Sequence, residues 1–296
     1  MKVLKAGIIG LSNGNGHPYS WSAICNGYNI IEMSKCPFPA IPKYLNSQKW
    51  PKDQLKGIHI SHIWTQNPEI SENIAKAAYI PNVVNKYSDL LNEIDILLLA
   101  RDDAENHLEM SVPFLNSGIP VFIDKPLACS EADAIKMLEN QVFDYQIFTC
   151  SALRYAKDIL LNKSDLESTG KIRFIQAAAP KSWHTYAAHI IEPITVQFPG
   201  RGNLLSVKGF NQGCYRIVKV VWENLFAEIV LTGAIKTNVN FTYYGERAIV
   251  KKEFLHSFDC IKKTIAEFKK QIKLKKVLID RGETLEIIKI IELGLK

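Results

Sequence analysis

Asp95-Ile-Leu-Leu-Leu-Ala-Arg-Asp-Asp-Ala-Glu-Asn-His107, followed after a helical stretch by Gly118-Ile-Pro-Val-Phe-Ile-Asp-Lys-Pro126, is the part of the chain that decides the fold. Asp95 to Ala100 shows no polar alternation, the pattern of a strand buried on both faces, and such strands belong to parallel sheets covered by helices. A polar loop comes next, then a helix closed by Gly118, then another apolar strand from Val121 to Asp124. Strand, helix, strand in this order is a crossover unit.

The same alternation extends outward from Val3 to about Cys150. The strands expected are Val3 to Ile9, Ile58 to Trp64, Asn82 to Val84, Asp95 to Ala100, Val121 to Asp124 and Gln146 to Thr149. Asn67-Pro68 reads as a helix cap and first position, and Ser88 and Ser130 as further caps. Gly27 to Gly57, rich in proline and aromatics, is too long for an ordinary connection and reads as an insertion. From Lys171 onward longer alternating strands appear: Lys171 to Ala177, Leu204 to Phe210, Tyr215 to Trp222, Ala227 to Leu231, Asn238 to Tyr244 and Ala248 to Glu253. Helices at Ser257 to about Ile272 and Glu283 to Gly294 close the chain. The expected fold class is α/β: a Rossmann-like parallel-sheet domain at 1–126, then an α+β domain at 127–296 with an open, mostly antiparallel sheet.

Composition excludes several classes. With 47% hydrophobic and 22% charged residues over 296 positions, the chain has ample apolar surface for two cores. No run is long enough to span a bilayer, and no secretory apolar segment opens the sequence. The six cysteines, 25, 36, 129, 150, 214 and 260, form no Cys-x-x-Cys pair, as expected of reduced thiols in the cytoplasm. The net charge of +6 is accounted for by residues 251 to 276, where nine lysines face only Glu253, Asp259 and Glu267. Without a recognition motif, that stretch reads as a solvated helix face and no nucleic-acid partner is expected. Asp102 and Asp103 lack an accompanying oxygen-ligand cluster, so no metal is expected.

The first strand runs into Gly10-Leu-Ser-Asn-Gly14-Asn-Gly16-His17-Pro18 and then a helix. A strand, a glycine turn and a helix N-terminus are the parts that receive a dinucleotide pyrophosphate, with Gly10, Ser12, Asn13 and Gly14 as the contacts. Ser12 stands at the middle glycine of G-x-G-x-x-G, so a turn that merely reverses the chain reads the same way.

Taken with this turn, the loop Arg101 to His107 and the corner Asp124-Lys125-Pro126 resemble the glucose-fructose oxidoreductase and inositol dehydrogenase family (Gfo/Idh/MocA). In that family the corner reads Glu-Lys-Pro. The resemblance spans essentially the whole chain and implies an enzyme that moves hydride between a nicotinamide cofactor and a secondary alcohol of a sugar, sugar phosphate, nucleotide-sugar or cyclitol. It implies cofactor contacts at Ala100, Arg101, Asp102, His107, Asp124, Lys125 and Pro126, and a homodimer or homotetramer. Independently of the family, a lysine at a strand's carboxyl edge is aimed into the crevice where ligands bind and can share a proton with the hydroxyl being oxidised, which makes Lys125 the catalytic candidate.

A second site is expected at Trp183-His-Thr-Tyr-Ala-Ala-His-Ile-Ile-Glu-Pro193. Thr185, His189 and Glu192 share a helical face. The family pattern there resembles Asp-x-Gly-x-His-x-x-Asp: His189 matches the histidine and Glu192 stands for the final acid, whereas Thr185 and Ala187 replace the first acid and the glycine. His189 is therefore assigned as base or its helper, with Tyr186 or His184 filling the gap, and Arg154 joins Thr185, His184 and Glu192 as substrate contacts. Trp64 and Thr65 stand where an acid would bind ribose hydroxyls, and no arginine is positioned for a 2′-phosphate, so the cofactor is NAD or NADP with NAD preferred. Two other roles suit the same fold: a cofactor-binding regulator without turnover, and an epimerase or lyase using transient oxidation.

Overall fold

The computed structural model describes residues 3–296. Two compact units emerge, and the chain crosses between them several times. The first runs to Ala128 and also takes Ala132–Thr149 and Ile261–Asp280; the second holds Cys129–Glu131, Cys150–Cys260 and Arg281–Lys296. The sequence reading draws a single crossing at 126/127.

In the first unit, β1 (Leu4–Ile9) leads to α1 (His17–Asn26), α2 (Ile30–Met33) and α3 (Ala40–Asn46), then β2 (Ile58–Trp64), α4 (Pro68–Ala77) and β3 (Asn82–Val83). After these come β4 (Ile96–Leu99), α5 (His107–Asn116), β5 (Val121–Ile123), α6 (Glu131–Glu139) and β6 (Ile147–Thr149). All pairings are parallel, in the order β3-β2-β1-β4-β5-β6. Connections on either side of β1 leave in opposite directions, so a switch point opens at its carboxyl end beside β4. β4 is fully buried, as its unbroken apolar run requires. The expected insertion at 27–57 contains α2 and α3. Asn67 caps α4 through its side chain, which accepts from Glu69 N at 2.9 Å with Pro68 at the first position. Ser88 does not cap a helix: it lies inside a single 3₁₀ turn, Tyr87–Leu90, whose box is closed by Lys86 and Asp89.

The second unit holds α7 (Lys163–Thr169), β7 (Ile172–Ala179), α8 (Trp183–Gln197), β8 (Leu204–Gln212), β9 (Tyr215–Trp222), β10 (Phe226–Leu231), β11 (Asn240–Gly245) and β12 (Ile249–Glu253). Its sheet order is β12-β11-β7-β10-β9-β8, antiparallel except where β7 meets β10. Alternation buries Ile175, Ala177, Ala227, Ile229, Phe241 and Tyr243 on one face, and α8 packs on β7 and β10. The other face carries a half-buried aromatic stack: Phe174 lies 5.0 Å from Phe226 and 4.9 Å from Tyr244.

Helix α9 (Ser257–Leu274) leaves the second unit at Cys260 and returns to the first. There Phe268 packs 5.8 Å from both Phe122 and Phe148, and Gln271 Nε2 donates to Ile147 O at 2.8 Å. Burial of such a ring contributes roughly 1.5–3 kcal/mol, so α9 is part of the first core although it follows the second in sequence. Helix α10 (Arg281–Leu293) stays in the second unit, where Trp183 Nε1 donates to Ile291 O at 2.9 Å.

Candidate functional site

The glycine turn of the first unit is built by close approach. A Cβ on Gly10 would meet Pro18 Cγ at 2.2 Å, so only glycine lets β1 pass so near the start of α1. Gly14 has φ +76° and open space at its Cβ position, and Asn13 and Gly14 are exposed. Asn15 turns the chain into α1, its Oδ1 accepting from His17 N at 2.8 Å.

This turn is tied directly to the Asp-Lys-Pro corner. Asp124, 2% exposed, accepts from Asn15 Nδ2 at 2.9 Å and from His17 Nδ1 at 2.6 Å, while its other oxygen accepts from the Lys125 N–H at 2.8 Å. Burial pushes the Asp124 carboxyl up, but the charges of His17 and Lys125 and the bonds from His17 and Asn15 outweigh it and hold the group well below the usual carboxylate range. Lys125 Nζ donates to Asp102 Oδ2 at 3.3 Å, and the other Asp102 oxygen accepts from the Ser12 hydroxyl. Ser12, Asp102 and Lys125 thus form one chain across the carboxyl ends of β1, β4 and β5.

On the β2 side, Gln66 Oε1 accepts from Leu11 N at 3.2 Å and from Arg101 Nη1 at 3.0 Å. Arg101 is buried and forms a two-point ion pair with Asp103. Burial raises the Asp103 carboxyl, yet Arg101 and Asn106 bring it below its ordinary value. Trp64 and Thr65 frame the neighbouring backbone: Trp64 Nε1 donates to Asn85 O at 3.1 Å, and Thr65 N donates to Ser71 Oγ at 2.8 Å. His107 is fully buried with its two ring nitrogens on Arg101 O at 2.9 Å and Leu127 O at 3.1 Å, so it braces the loop against the corner. Ala100, whose N–H meets Ile9 O at 2.8 Å, closes β4 against β1.

In the second unit, His189 Nδ1 lies 2.7 Å from the Ser151 hydroxyl, with Tyr186 edge-on to its ring at 4.9 Å. Lys181 Nζ sits 5.1 Å over Tyr186. Glu192 is buried and accepts from Ser151 N at 2.6 Å, and its other oxygen pairs with Arg154 Nη1 at 3.3 Å. Arg154 also pairs with Glu283. Burial pushes the Glu192 carboxyl up to about 7, against the opposing pull of Arg154 and the Ser151 N–H. Glu192 therefore holds both Arg154 and the Ser151 backbone in the turn after β6, fixing Ser151 beside His189. Thr185 Oγ1 donates to Ser182 O at 3.2 Å in the first turn of α8, and His184 is exposed.

Asn15, His17, Gln66 and Ser151 are the participants that sequence reading missed. Only Asn15 and His17 had a local signal, two polar side chains directly after a glycine turn. Gln66 and Ser151 meet their partners 55 and 38 residues away.

A parallel sheet of this order, with a glycine turn at its switch point and an Asp-Lys-Pro corner two strands on, is a Rossmann-like unit. Residues 40–142 match the family GFO_IDH_MocA, described as "Oxidoreductase family, NAD-binding Rossmann fold". This is the family that the sequence resembled, and the match covers about a third of the chain. The fold is shared, over 99% of this chain and 96% of the other, with myo-inositol 2-dehydrogenase from Lactobacillus plantarum (14% identity, TM-score 0.70). A myo-inositol dehydrogenase from Corynebacterium glutamicum matches over the same shares at 12% identity and a TM-score of 0.72. GenD2 from gentamicin A biosynthesis, in complex with NAD, matches over 100% of this chain and 94% of its own at 9% identity and a TM-score of 0.70. No curated protein matches the sequence. Among the described residues no helix is long and apolar enough to cross a membrane.

Proposed function

We propose that the protein is a nicotinamide-dependent dehydrogenase acting on a secondary alcohol of a sugar, sugar phosphate, nucleotide-sugar or cyclitol. The observation that carries this reading is the bonding of the glycine turn to the Asp124-Lys125 corner, Asn15 and His17 on Asp124 and Ser12 through Asp102 to Lys125. The residues fit a dinucleotide: the turn at Asn13 and Gly14 is open, and α1 starts three residues later. Gly10, Ser12, Asn13 and Gly14 would hold the pyrophosphate, with Trp64, Thr65, Ala100, Arg101, Asp102, Asp124 and Pro126 shaping the rest. Bound there, the cofactor supplies the hydride acceptor or donor.

Lys125 polarises the substrate oxygen as a cation held by Asp102. On the second unit, His189 with Tyr186 is the proton-handling candidate, steadied by Ser151, while Arg154 and Glu192 set its position. NAD is preferred over NADP because Arg101, at this edge, already pairs with Asp103 and Gln66, leaving its charge committed. The half-buried Phe226-Phe174-Tyr244 stack supports a homodimer or homotetramer formed through the open sheet face. A regulatory, non-catalytic reading is favoured by one observation, that Ala187 and Thr185 supply no acid where the family pattern has one.

Fluorescence titration with NADH and NADPH, followed by turnover on a panel of sugars and cyclitols, tests the reading. Binding of either nucleotide with turnover of an alcohol is expected. Failure to bind any nicotinamide nucleotide rejects it, and binding without turnover favours the regulator.

A further inference from the structure

The first unit contains a titratable pair to which the assignments above give no chemical role. His17 is the opening residue of α1, and its Nδ1 lies 2.6 Å from Asp124 Oδ2. Asp124 stays a carboxylate and therefore only accepts, so the ring's proton sits on Nδ1 and, in the neutral imidazole, the lone pair falls on Nε2. Nε2 has no hydrogen-bond partner among the described residues. The side chain is 26% exposed, while that of Asp124 is 2% exposed. Trp21 stacks on the imidazole at 5.0 Å and 16°, and Phe122 stacks on Trp21 at 4.4 Å, so the ring is held in plane by packing as well as by the carboxylate. Closing the turn does not require His17, because Asn15 already joins it to Asp124 at 2.9 Å. A buried carboxylate that fixes a partly exposed imidazole whose Nε2 has no hydrogen bond among the described residues is the arrangement of a general base.

We propose that His17, oriented by Asp124, is a proton-transfer group of the reaction, a role that rests on the dehydrogenase reading above. His17 and Lys125 hang on the two oxygens of a single carboxylate, Nδ1 on Oδ2 and the Lys125 N–H on Oδ1. The first unit thereby carries both a cation for the developing alkoxide and a base for its proton. In alcohol oxidation the O–H bond breaks toward His17 Nε2, its electron pair becomes the second C–O bond, and the carbon's hydride goes to the nicotinamide. The products are a ketone, the reduced nucleotide and an imidazolium stabilised by Asp124, which loses its proton to solvent from the partly exposed ring. The reverse reaction uses the same atoms with His17 as acid. The variant below therefore also separates His17 from His189, the proton-handling candidate on the second unit.

His17→Asn separates the roles, because its side-chain amide can keep the bond to Asp124 while the Nε2 lone pair is lost. The full chain is used, with folding checked by circular dichroism, nucleotide affinity by NADH fluorescence, and kcat on whichever alcohol the wild type oxidises. The variant is expected to lose at least about 100-fold in kcat with nucleotide Kd moved less than about threefold. Nitrogen-15 NMR of the free wild-type protein, with the His17 signal assigned by its loss in His17→Gln, is expected to find Nδ1 protonated and Nε2 bare. Asp124→Asn is expected to abolish that tautomer preference. Retained kcat, a loss confined to nucleotide affinity (a phosphate contact), or a proton on Nε2 in the neutral ring overturns the assignment. Wild-type turnover with an unimpaired His17→Asn overturns it alone; a wild type that binds no nicotinamide nucleotide overturns the dehydrogenase reading and this role with it. If His17→Asn does not fold, or no alcohol in the panel is oxidised, the wild-type tautomer decides.

Discussion

Lys125 Nζ lies 3.3 Å from Asp102 Oδ2, with the lysine side chain 4% exposed and the aspartate 16%. Asp102 gives this buried side chain a carboxylate partner and is itself anchored by Ser12. The pair holds the lysine amine in place at the sheet edge where the substrate oxygen is proposed to bind.

Lys125→Ala is expected to cut kcat at least about 100-fold with a smaller change in nucleotide affinity, measured by steady-state kinetics and NADH titration. Near-normal turnover would remove Lys125 from the chemistry.

Gly10→Ala and Gly14→Ala should behave differently. The added methyl at Gly10 meets Pro18 at 2.2 Å, so overpacking of about 1–3 kcal/mol is expected. At Gly14 there is room, and only the φ of +76° opposes alanine, for about 1 kcal/mol. Urea unfolding compares the two; equal losses would contradict the close approach.

Glu192 has its carboxyl raised by burial from 4.5 to about 7. The folded state therefore keeps a proton that the unfolded state has released, and stability falls as pH rises between those values, by up to about 3 kcal/mol. Glu192→Gln should flatten that part of the stability–pH curve; a wild-type curve that rises with pH there, unchanged by the substitution, would refute the assignment.

Asp124 behaves in the opposite sense. Its carboxyl is held below the ordinary range, so its contribution is present above the unfolded value of about 4 and disappears as pH falls beneath it. Asp124→Asn should cost about 3 kcal/mol at neutral pH and reduce the acid sensitivity of unfolding. Identical acid unfolding of variant and wild type would exclude the effect.

The sequence by itself determined the layers. Ile96 to Leu99 could only be a doubly covered strand, Asn67-Pro68 could only open a helix, and the alternation after Lys171 required a one-faced sheet, because period and capping are local properties of the chain. The Asp-Lys-Pro corner and the family resemblance it carries were legible for the same reason, being contiguous. Tertiary structure decided the partners. That Asp124 binds His17 and Asn15 from more than a hundred residues away, that Glu192 holds Arg154 and Ser151, and that α9 completes the first core from beyond the second are contacts of high sequence separation. No periodicity encodes them; they arise because a buried charge must find an opposite charge or a donor wherever the fold brings one within reach.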